Sequence, residues 1–437
     1  MSDNAVSVLE RLSQRADQAE VFGIDSESTA VSFEASKLKS FDVSQTGGLA
    51  ARAMHEGRLG FAAAGGAGSE DQLIDNVIES ARHGDAIDLR FPGTSPAGGV
   101  EVYDPRLATL PADRLIEIGQ EVIEIIRSAD DQALVSMDLE RQVRRTVVLN
   151  SSGARADEEK STLSVSMRVE KVQSDDVLMV FRYFSTARWN EDYREVAESL
   201  AESLRRARRQ ATLRSGRMPV LFSPSGAVVL GLPLMMGLDG KDVYRGISPL
   251  AGRVGERLFD DKLTLSDDPT LPGRPGSGDY DDEAVPRRRS SLIERGELRG
   301  FLYDLKTAAQ AGVEPTGSGE RGLFSPPSPS FSNLVMNPGT TPLKDIIAGL
   351  DEALLVESPL GLGQGNVISG AFSNSLSLGF KIERGEVVGR VKDVAIAGNV
   401  YEDLQHIAAL SQETEWVYGG MSLPYVLLPS LNVVTKA

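Results

Sequence analysis

The chain reads as an α+β protein: N-terminal antiparallel sheets with flanking helices, in a plan that occurs twice as a duplication would leave it, then a β-rich C-terminal domain built as a twisted sheet or partial barrel. Three observations predict this. Amphipathic and strand-like stretches run in the order helix, strands, helix twice before residue 217. The strands follow one another in hairpin order instead of alternating singly with helices, which argues for antiparallel pairing. From Met218 onward glycine and proline become frequent and apolar runs short. The implied domains are residues 1–95, 96–217 and 218–437.

The first helix is expected over residues 5–19, where Val6, Leu9, Leu12 and Ala16 recur at spacings of three and four. Residues 30–34, 38–43, 48–54 and 58–63 read as strands; Val31 and Phe33 alternate with polar neighbours, as on a half-buried strand. A helix over 70–83 sets Leu73, Val77 and Ala81 on one face. The Pro- and Gly-bearing stretch 91–99 marks a boundary. The plan then repeats. A helix over 111–128 carries Leu115, Ile118, Val122 and Ile125, and strands are expected at 134–139, 144–150, 162–172 and 177–184. A charged helix over 190–211 turns Tyr193, Val196, Leu200 and Leu204 inward. Residue identity between the halves is slight, so the repetition lies in the plan.

In the remainder, residues 220–222 read as a strand. Ser223-Pro224 is a helix start, the hydroxyl serving as N-cap and the proline suiting the first turn. The helix over 225–236 is apolar nearly all round and so belongs in a core, with a bend at Pro233. A loop-rich zone runs to about residue 285. Strands are expected at 290–294, 298–305, 375–383, 386–390 and 394–397, and helices at 341–353 and 401–410. IERGEL at 293–298 and IERGEV at 382–387 read as hairpin turns, Gly296 and Gly385 supplying positive φ.

Composition excludes several chemistries. A chain of 437 residues, 41% of them hydrophobic, buries large cores without staples. There is no cysteine, which removes disulfides, iron–sulfur clusters, thiolate zinc sites and a thiol nucleophile. The first residues lack the basic-then-apolar layout of a signal peptide, and no apolar run approaches the ~20 residues a bilayer span needs, so a cytoplasmic protein is expected. The net charge of −17 repels phosphate backbones, so nucleic-acid binding would need a local basic patch. Arg205, Arg206, Arg208 and Arg209 fall at the end of an expected helix, where cations complement the dipole. Arg287, Arg288 and Arg289 follow the acidic residues Asp279, Asp281, Asp282 and Glu283, which points to local pairing.

No catalytic motif emerges from the residues. His55, His83 and His406 are scattered over an expected strand, a helix end and a late helix; His55-Glu56 opens like a helical zinc motif, but Leu59 stands four places on. Asp281-Asp282-Glu283 offers hard oxygen ligands without calcium-loop spacing and reads first as a solvated acidic turn, next as a substrate or partner contact. In Gly246-Ile247-Ser248-Pro249-Leu250 the closing glycine of a serine elbow is missing and Pro249 denies an oxyanion amide. Gly361 to Asn366 is glycine-rich without dinucleotide spacing, and Gly240-Lys241-Asp242 fails the phosphate-loop pattern at its last place.

A family resemblance runs through nearly the whole chain. PVLFSPSGA at 219–227, DDEAVPRRRSSLIERGELRGFLYD at 281–304, TGSG at 316–319, GNVISGAFSNSLSLGFKIERGEV at 365–387 and VKDVAIAGNVYEDL at 391–404 resemble the TldD/PmbA family, also called modulator of DNA gyrase or TldD/TldE metallopeptidases. GGLAARAMHEGRLGFA at 47–62 and VVLNSSGARAD at 147–157 extend it to the N-terminal half. Each piece is weak alone; order and spacing make the signal specific. The family pairs two kinds of subunit, and in the TldD kind a His-Glu-x-x-x-His helix and a late cysteine hold zinc. The resemblance places Gly231, Leu232 and Met236 where His, Glu and His would stand, and residues 415–420 have no cysteine. The chain therefore resembles the TldE/PmbA kind. Ala284 departs from the usual Asp-Asp-Glu-Gly.

The resemblance implies a non-catalytic subunit of a metallopeptidase acting on unfolded or leader peptides, which helps enclose and bind an extended peptide. It implies no cofactor on this chain, zinc in a TldD-like partner, and a homodimer when alone. The charge argues against direct contact with DNA. The residues expected to touch peptide are Asp281, Asp282, Glu283, Asn366, Ser373 and Asn399. An alternative is a homodimeric peptide-binding protein without proteolytic activity.

Overall fold

A computed structural model describes residues 2–66, 68–93, 98–173 and 176–436. The N-terminal half contains α1 (Ser2–Ser13), β1 (Gln18–Glu34), β2 (Lys37–His55), β3 (Arg58–Gly65), α2 (Glu70–Arg82), α3 (Pro105–Ala108), α4 (Ala112–Ala129), β4 (Leu134–Asn150), β5 (Arg155–Gln173), β6 (Asp176–Thr186) and α5 (Tyr193–Ala207). All six strands form a single antiparallel sheet in the order β3-β2-β1-β4-β5-β6. The two helix-and-strand units thus join edge to edge, through β1 and β4. The domain boundary expected between residues 95 and 96 lies outside the described residues.

Several strands are longer than the periodicity suggests. Residues 30–34 belong to β1, which starts at Gln18, and the pieces 38–43 and 48–54 are one strand, β2. The turn between β1 and β2 holds Ala35 and Ser36 at φ 47° and 64° without a glycine. Hydrogen bonds pin it to β4: Ser36 N–H donates to the Val135 carbonyl at 2.7 Å, and Val135 N–H donates to Ser36 Oγ at 3.1 Å. The expected helix faces shift by a residue or so. In α1 the buried side chains are Ala5, Val8 and Leu12, not Val6 and Leu9, and Ala16 lies past its end. In α4 Ile126 is buried and Ile125 only partly so. Gly119 lets α4 approach β1, because a Cβ there would meet the Phe33 ring at 2.2 Å.

The C-terminal half contains β7 (Gly216–Phe222), α6 (Val228–Gly237), α7 (Gly240–Tyr244), β8 (Leu265–Asp267), β9 (Ser290–Glu294), β10 (Glu297–Leu298), α8 (Leu305–Ala311), β11 (Gly319–Glu320), β12 (Ser328–Pro329), β13 (Leu334–Met336), α9 (Leu343–Ala348), β14 (Glu352–Pro359), β15 (Ala371–Glu383), β16 (Glu386–Arg390), β17 (Val394–Asn399), α10 (Val400–Asp403), β18 (Ala409–Val417) and β19 (Met421–Thr435). Strands β7, β14, β15, β17 and β19 pair in sequence, and β19 returns to β7. The partial barrel expected from sequence is therefore a closed ring of five strands. Of the expected strand 298–305 only Leu298 lies in a strand, with Leu302 in an isolated bridge to Asp239, and the expected helix 401–410 ends at Asp403 before β18 begins.

A shared core joins the halves. Val31, Ile118, Val122, Val165 and Leu200 of the N-terminal half form one buried cluster with Leu221, Leu355, Leu378 and Phe380 of the barrel. Helices α4 and α5, each apolar on one face, therefore contribute to a core that both sheets share.

Candidate functional site

Between the N-terminal sheet and the C-terminal loops lies a cleft of about 940 Å³, lined by β4, β5 and β6 on one side and by segments near residues 275–287, 320–332 and 418–420 on the other. Its charges are mostly paired. Lys160 Nζ donates to the Ser277 carbonyl at 2.6 Å and lies 3.4 Å from Glu158. Burial pulls the Lys160 ammonium below the usual lysine range, with Glu158 pulling the other way. Arg287 bonds Glu320 at 3.0 Å and the Gly276 carbonyl at 2.7 Å, and Arg144 lies 3.6 Å from Asp282. The Tyr280 hydroxyl, whose pKa burial pushes up, has no hydrogen-bond partner among the described residues.

An ion cluster of fully buried side chains lies beside the cleft. Arg52 of β2 donates to both oxygens of Glu20 on β1, at 2.9 and 2.7 Å, and to Glu283 at 2.6 Å. Arg321 donates to Glu20 at 2.8 Å and to the Asp282 carbonyl at 2.5 Å, and its guanidinium stands 4.3 Å from the Phe22 ring centre. Two carboxyl groups meet two guanidinia, and this mutual hydrogen bonding is what allows them to be buried. Burial opposes ionisation of Glu20, but Arg321 and Arg52 outweigh it and hold that carboxyl below its usual range. Burial pushes Glu283 up, with Arg52 opposing.

The six residues expected to touch peptide fall in two places. Asp281 and Glu283 are buried, so the acidic run is not the solvated turn expected of it. Asp281 accepts from the N–H groups of Glu283, Val285 and Gly319, and Glu283 from that of Leu305 at 2.7 Å. Of the three acids only Asp282 lines the cleft. The following Ala284 has φ 58°, which explains why glycine is usual there; its methyl group packs in a cluster with Phe22, Ala50 and Val148. Arg287 and Arg289 pair with Glu320 and Asp268 instead of the acidic run. Asn366, Ser373 and Asn399 cluster elsewhere, near α6. Ser373 lines a hollow of about 460 Å³ beside Leu232, Pro233 and the glycine-rich loop 361–365. Asn366 precedes a short 3₁₀ turn, and Asn399 caps α10 by accepting from Tyr401 N–H at 3.0 Å.

The other candidates stay apart. His55 ends β2, His83 caps α2, and His406 lies in a loop, not in a helix. Arg205 and Arg206 pair with Glu202 on their own helix, and Arg208 donates to the Ala129 carbonyl.

Sequence reasoning missed the aromatic end of the cleft. A recess of about 370 Å³ adjoins it and shares Tyr183, Ser185, Tyr418 and Gly419 with it. Its walls include Phe181, Phe184, Trp416 and Arg274. The available signal was Trp416-Val417-Tyr418-Gly419-Gly420: one of only two tryptophans, beside a second aromatic and a turn.

Helix α6 tests whether a metal fits. Ser223 does not cap it directly; its hydroxyl accepts from Gly226 N–H at 3.1 Å in a turn ahead of the helix. Pro233 lies inside α6, and the Tyr401 hydroxyl stands 2.9 Å from the Pro233 carbonyl. Gly231 is buried, with Met421 Sδ 3.4 Å from where its Cβ would be. Leu232 packs against the barrel core and Met236 is 41% exposed. Glycine and leucine offer no ligand atom, and zinc takes imidazole, carboxylate or thiolate in place of a thioether. These residues do not fit zinc. Among the described residues no three His, Asp or Glu side chains are grouped to hold a metal ion.

The fold and its parts match known proteins from end to end. Residues 215–435 match the PmbA/TldA metallopeptidase C-terminal domain, 19–83 domain 1 and 105–208 the central domain. The crystal structure of TldE from Thermococcus kodakarensis superposes with a TM-score of 0.89 at 25% identity, covering 99% of this chain and 100% of that one. A metalloprotease of Methanothermobacter thermautotrophicus is 24% identical over 426 residues, 94% of this chain and 92% of its own length. A metalloprotease TldD homolog of Haemophilus influenzae is 31% identical over 229 residues, 50% of this chain and 47% of its own. Together these define a three-part protein of the metallopeptidase type. The chain belongs to the PmbA/TldD family. No helix among the described residues is long and apolar enough to cross a membrane.

Proposed function

We propose that this chain is the non-catalytic, TldE/PmbA-like subunit of a TldD/TldE-type metallopeptidase acting in the cytoplasm on unfolded or leader peptides. One observation carries the reading: a chain with the complete family fold presents Gly231, Leu232 and Met236 where the family's zinc helix would carry its ligands and base. Zinc and the water-activating glutamate then come from a TldD-like partner, where metal-bound water is the nucleophile. This subunit helps enclose the substrate. Its cleft of about 940 Å³ is lined on one side by strands, which suits an extended peptide that bonds through its main chain. Asp282, which lines that cleft, is the best placed of the acidic run to meet peptide; Ser373 lines the second hollow.

The test is reconstitution with a TldD-like subunit from the same genome. The two proteins should co-purify, and cleavage of an unfolded peptide should depend on both. Cleavage by the partner alone at an undiminished rate would refute the subunit role and favour a separate peptide-binding homodimer. Stoichiometric zinc and EDTA-sensitive cleavage in the isolated chain would overturn the non-catalytic assignment.

A further inference from the structure

The aromatic recess holds a charge with no counter-ion in ion-pair reach among the described residues. The Arg274 guanidinium lies 3.8 Å from the centre of the Trp416 ring, and its Nη2 donates to the Gly419 carbonyl at 2.7 Å. No carboxylate among the described residues lies within ion-pair distance of it; its buried Nε has no hydrogen-bond partner among them either, a feature it shares with Arg182, Arg287, Arg321 and Arg390. Arg182, in the same recess, differs: it is bonded to Glu357 at 2.8 Å. Buried Arg52, Arg287, Arg321 and Arg390 are likewise paired with carboxylates. Burial alone pulls Arg274 down to about 10, which leaves it charged at neutral pH. A guanidinium whose partners are one carbonyl and one ring face retains most of its donor fork, and that fork matches a carboxylate.

The surroundings restrict what brings that carboxylate. Phe181 and Tyr418 stand 5.5 Å apart, centre to centre, and Tyr183 and Phe184 complete the walls. Tyr418 and Gly419 have φ 49° and 78°. A Cβ on Gly419 would come within 2.9 Å of Tyr183 and of Ser185 Oγ, so the turn is wedged against β6 and its carbonyl is held at Arg274. Asp192, Glu195 and Glu415 also line the recess. They disfavour an acidic stretch, which brings several charges, and leave room for a single carboxylate at Arg274.

We propose that this recess is a terminal subsite: it takes the last residue of an extended peptide, the terminal carboxylate on Arg274 and an aromatic or large apolar side chain among the rings. The proposal rests on the peptide-binding reading above and adds to it a chain end, a direction and a residue class. The rest of the peptide then leaves the recess toward the adjoining cleft, on the side of Tyr183 and Tyr418, which line both.

The test uses the full-length chain and a fluorescein-labelled peptide, Gly-Ser-Gly-Ser-Gly-Phe, as free acid and as carboxamide, with anisotropy as the readout. The acid should bind about tenfold or more tighter than the amide, the effect of one charge-assisted hydrogen-bonded pair. Arg274→Gln should bring the acid down to the amide, and Arg274→Lys should restore part of the preference. Equal binding of acid and amide by the unaltered chain would overturn the subsite and leave peptide binding standing. So would an acid preference that survives Arg274→Gln. If neither peptide binds, both the subsite and the peptide-binding reading fail. The acid-to-amide comparison needs no variant to fold.

Discussion

Asp267, on β8, is held by three donors: Ser332 N–H and Asn333 N–H at 2.9 Å each, and the Ser332 hydroxyl at 2.8 Å. Burial nevertheless dominates and pushes its carboxyl up to about 6. The folded chain therefore holds this proton more tightly than the unfolded chain, whose Asp titrates near 3.9. The stability this group contributes is present at low pH and is lost as pH rises from about 4 through about 6. Asp267→Asn keeps the shape of the protonated acid and cannot ionise. The melting-temperature difference, variant minus parent, should grow in the variant's favour between pH 4 and pH 7; a difference constant over that range would contradict the assignment. Nothing in the residues around Asp267 announces this, because the burial that shifts it comes from a segment some 65 positions away in sequence. Ala284 is the opposite case: the departure from glycine is visible in the residues, and its φ of 58° shows the physical reason for the usual residue.

At the scale of elements, the two IERGE turns look interchangeable. Both place Arg and Gly at positive φ, with Arg295 and Gly296 at 48° and 78° and Arg384 and Gly385 at 51° and 80°, as a tight hairpin requires. Their surroundings differ. A Cβ on Gly385 would lie 3.0 Å from the Ala348 carbonyl oxygen, but one on Gly296 would lie 2.2 Å from that of Phe259. Gly385→Ala should cost about 1–2 kcal/mol from the left-handed conformation, and Gly296→Ala distinctly more, because backbone must also move. Denaturant titration of both variants checks the order; equal costs would mean that the packing around Gly296 yields freely. The strands missed or shortened have a similar cause. β19 carries Pro424 and Pro429, which argue against a strand. Pro429 falls where the pairing of β19 with β7 shifts register, between Leu428 and Leu431, so the ladder survives it.

Two of the features that span the halves matter most for the whole molecule. One is the apolar cluster that joins α4 and α5 to the barrel. The other is the Arg52–Glu20–Glu283–Arg321 cluster, which ties β1 and β2 to the loops around the cleft. Removing Arg52 from this buried ion cluster leaves Glu20 short of a partner and Glu283 without its guanidinium donor. Arg52→Met should therefore cost about 3–5 kcal/mol. Because the core is shared, the variant should still unfold in one calorimetric transition at a lower temperature. An unchanged melting temperature would remove the cluster from the account, and two separated transitions would show that the halves are independent.

The residues alone determine the family, the α+β class, most helices and the lack of any cysteine, because these depend on local periodicity, residue chemistry and the order of short motifs. They also determine that Gly296 and Gly385 turn the chain. What only the tertiary structure decides is which strands meet and which charges are buried. The six N-terminal strands form one sheet, the barrel closes through β19 and β7, and Glu283 finds its partner 231 positions away in Arg52. Arg274 is one arginine among many in the sequence; it stands out only when folding brings Trp416 and Gly419 to it and, among the described residues, no carboxylate within ion-pair distance. Burial and pairing are long-range properties, set by contacts between distant segments, and no window of neighbouring residues contains them.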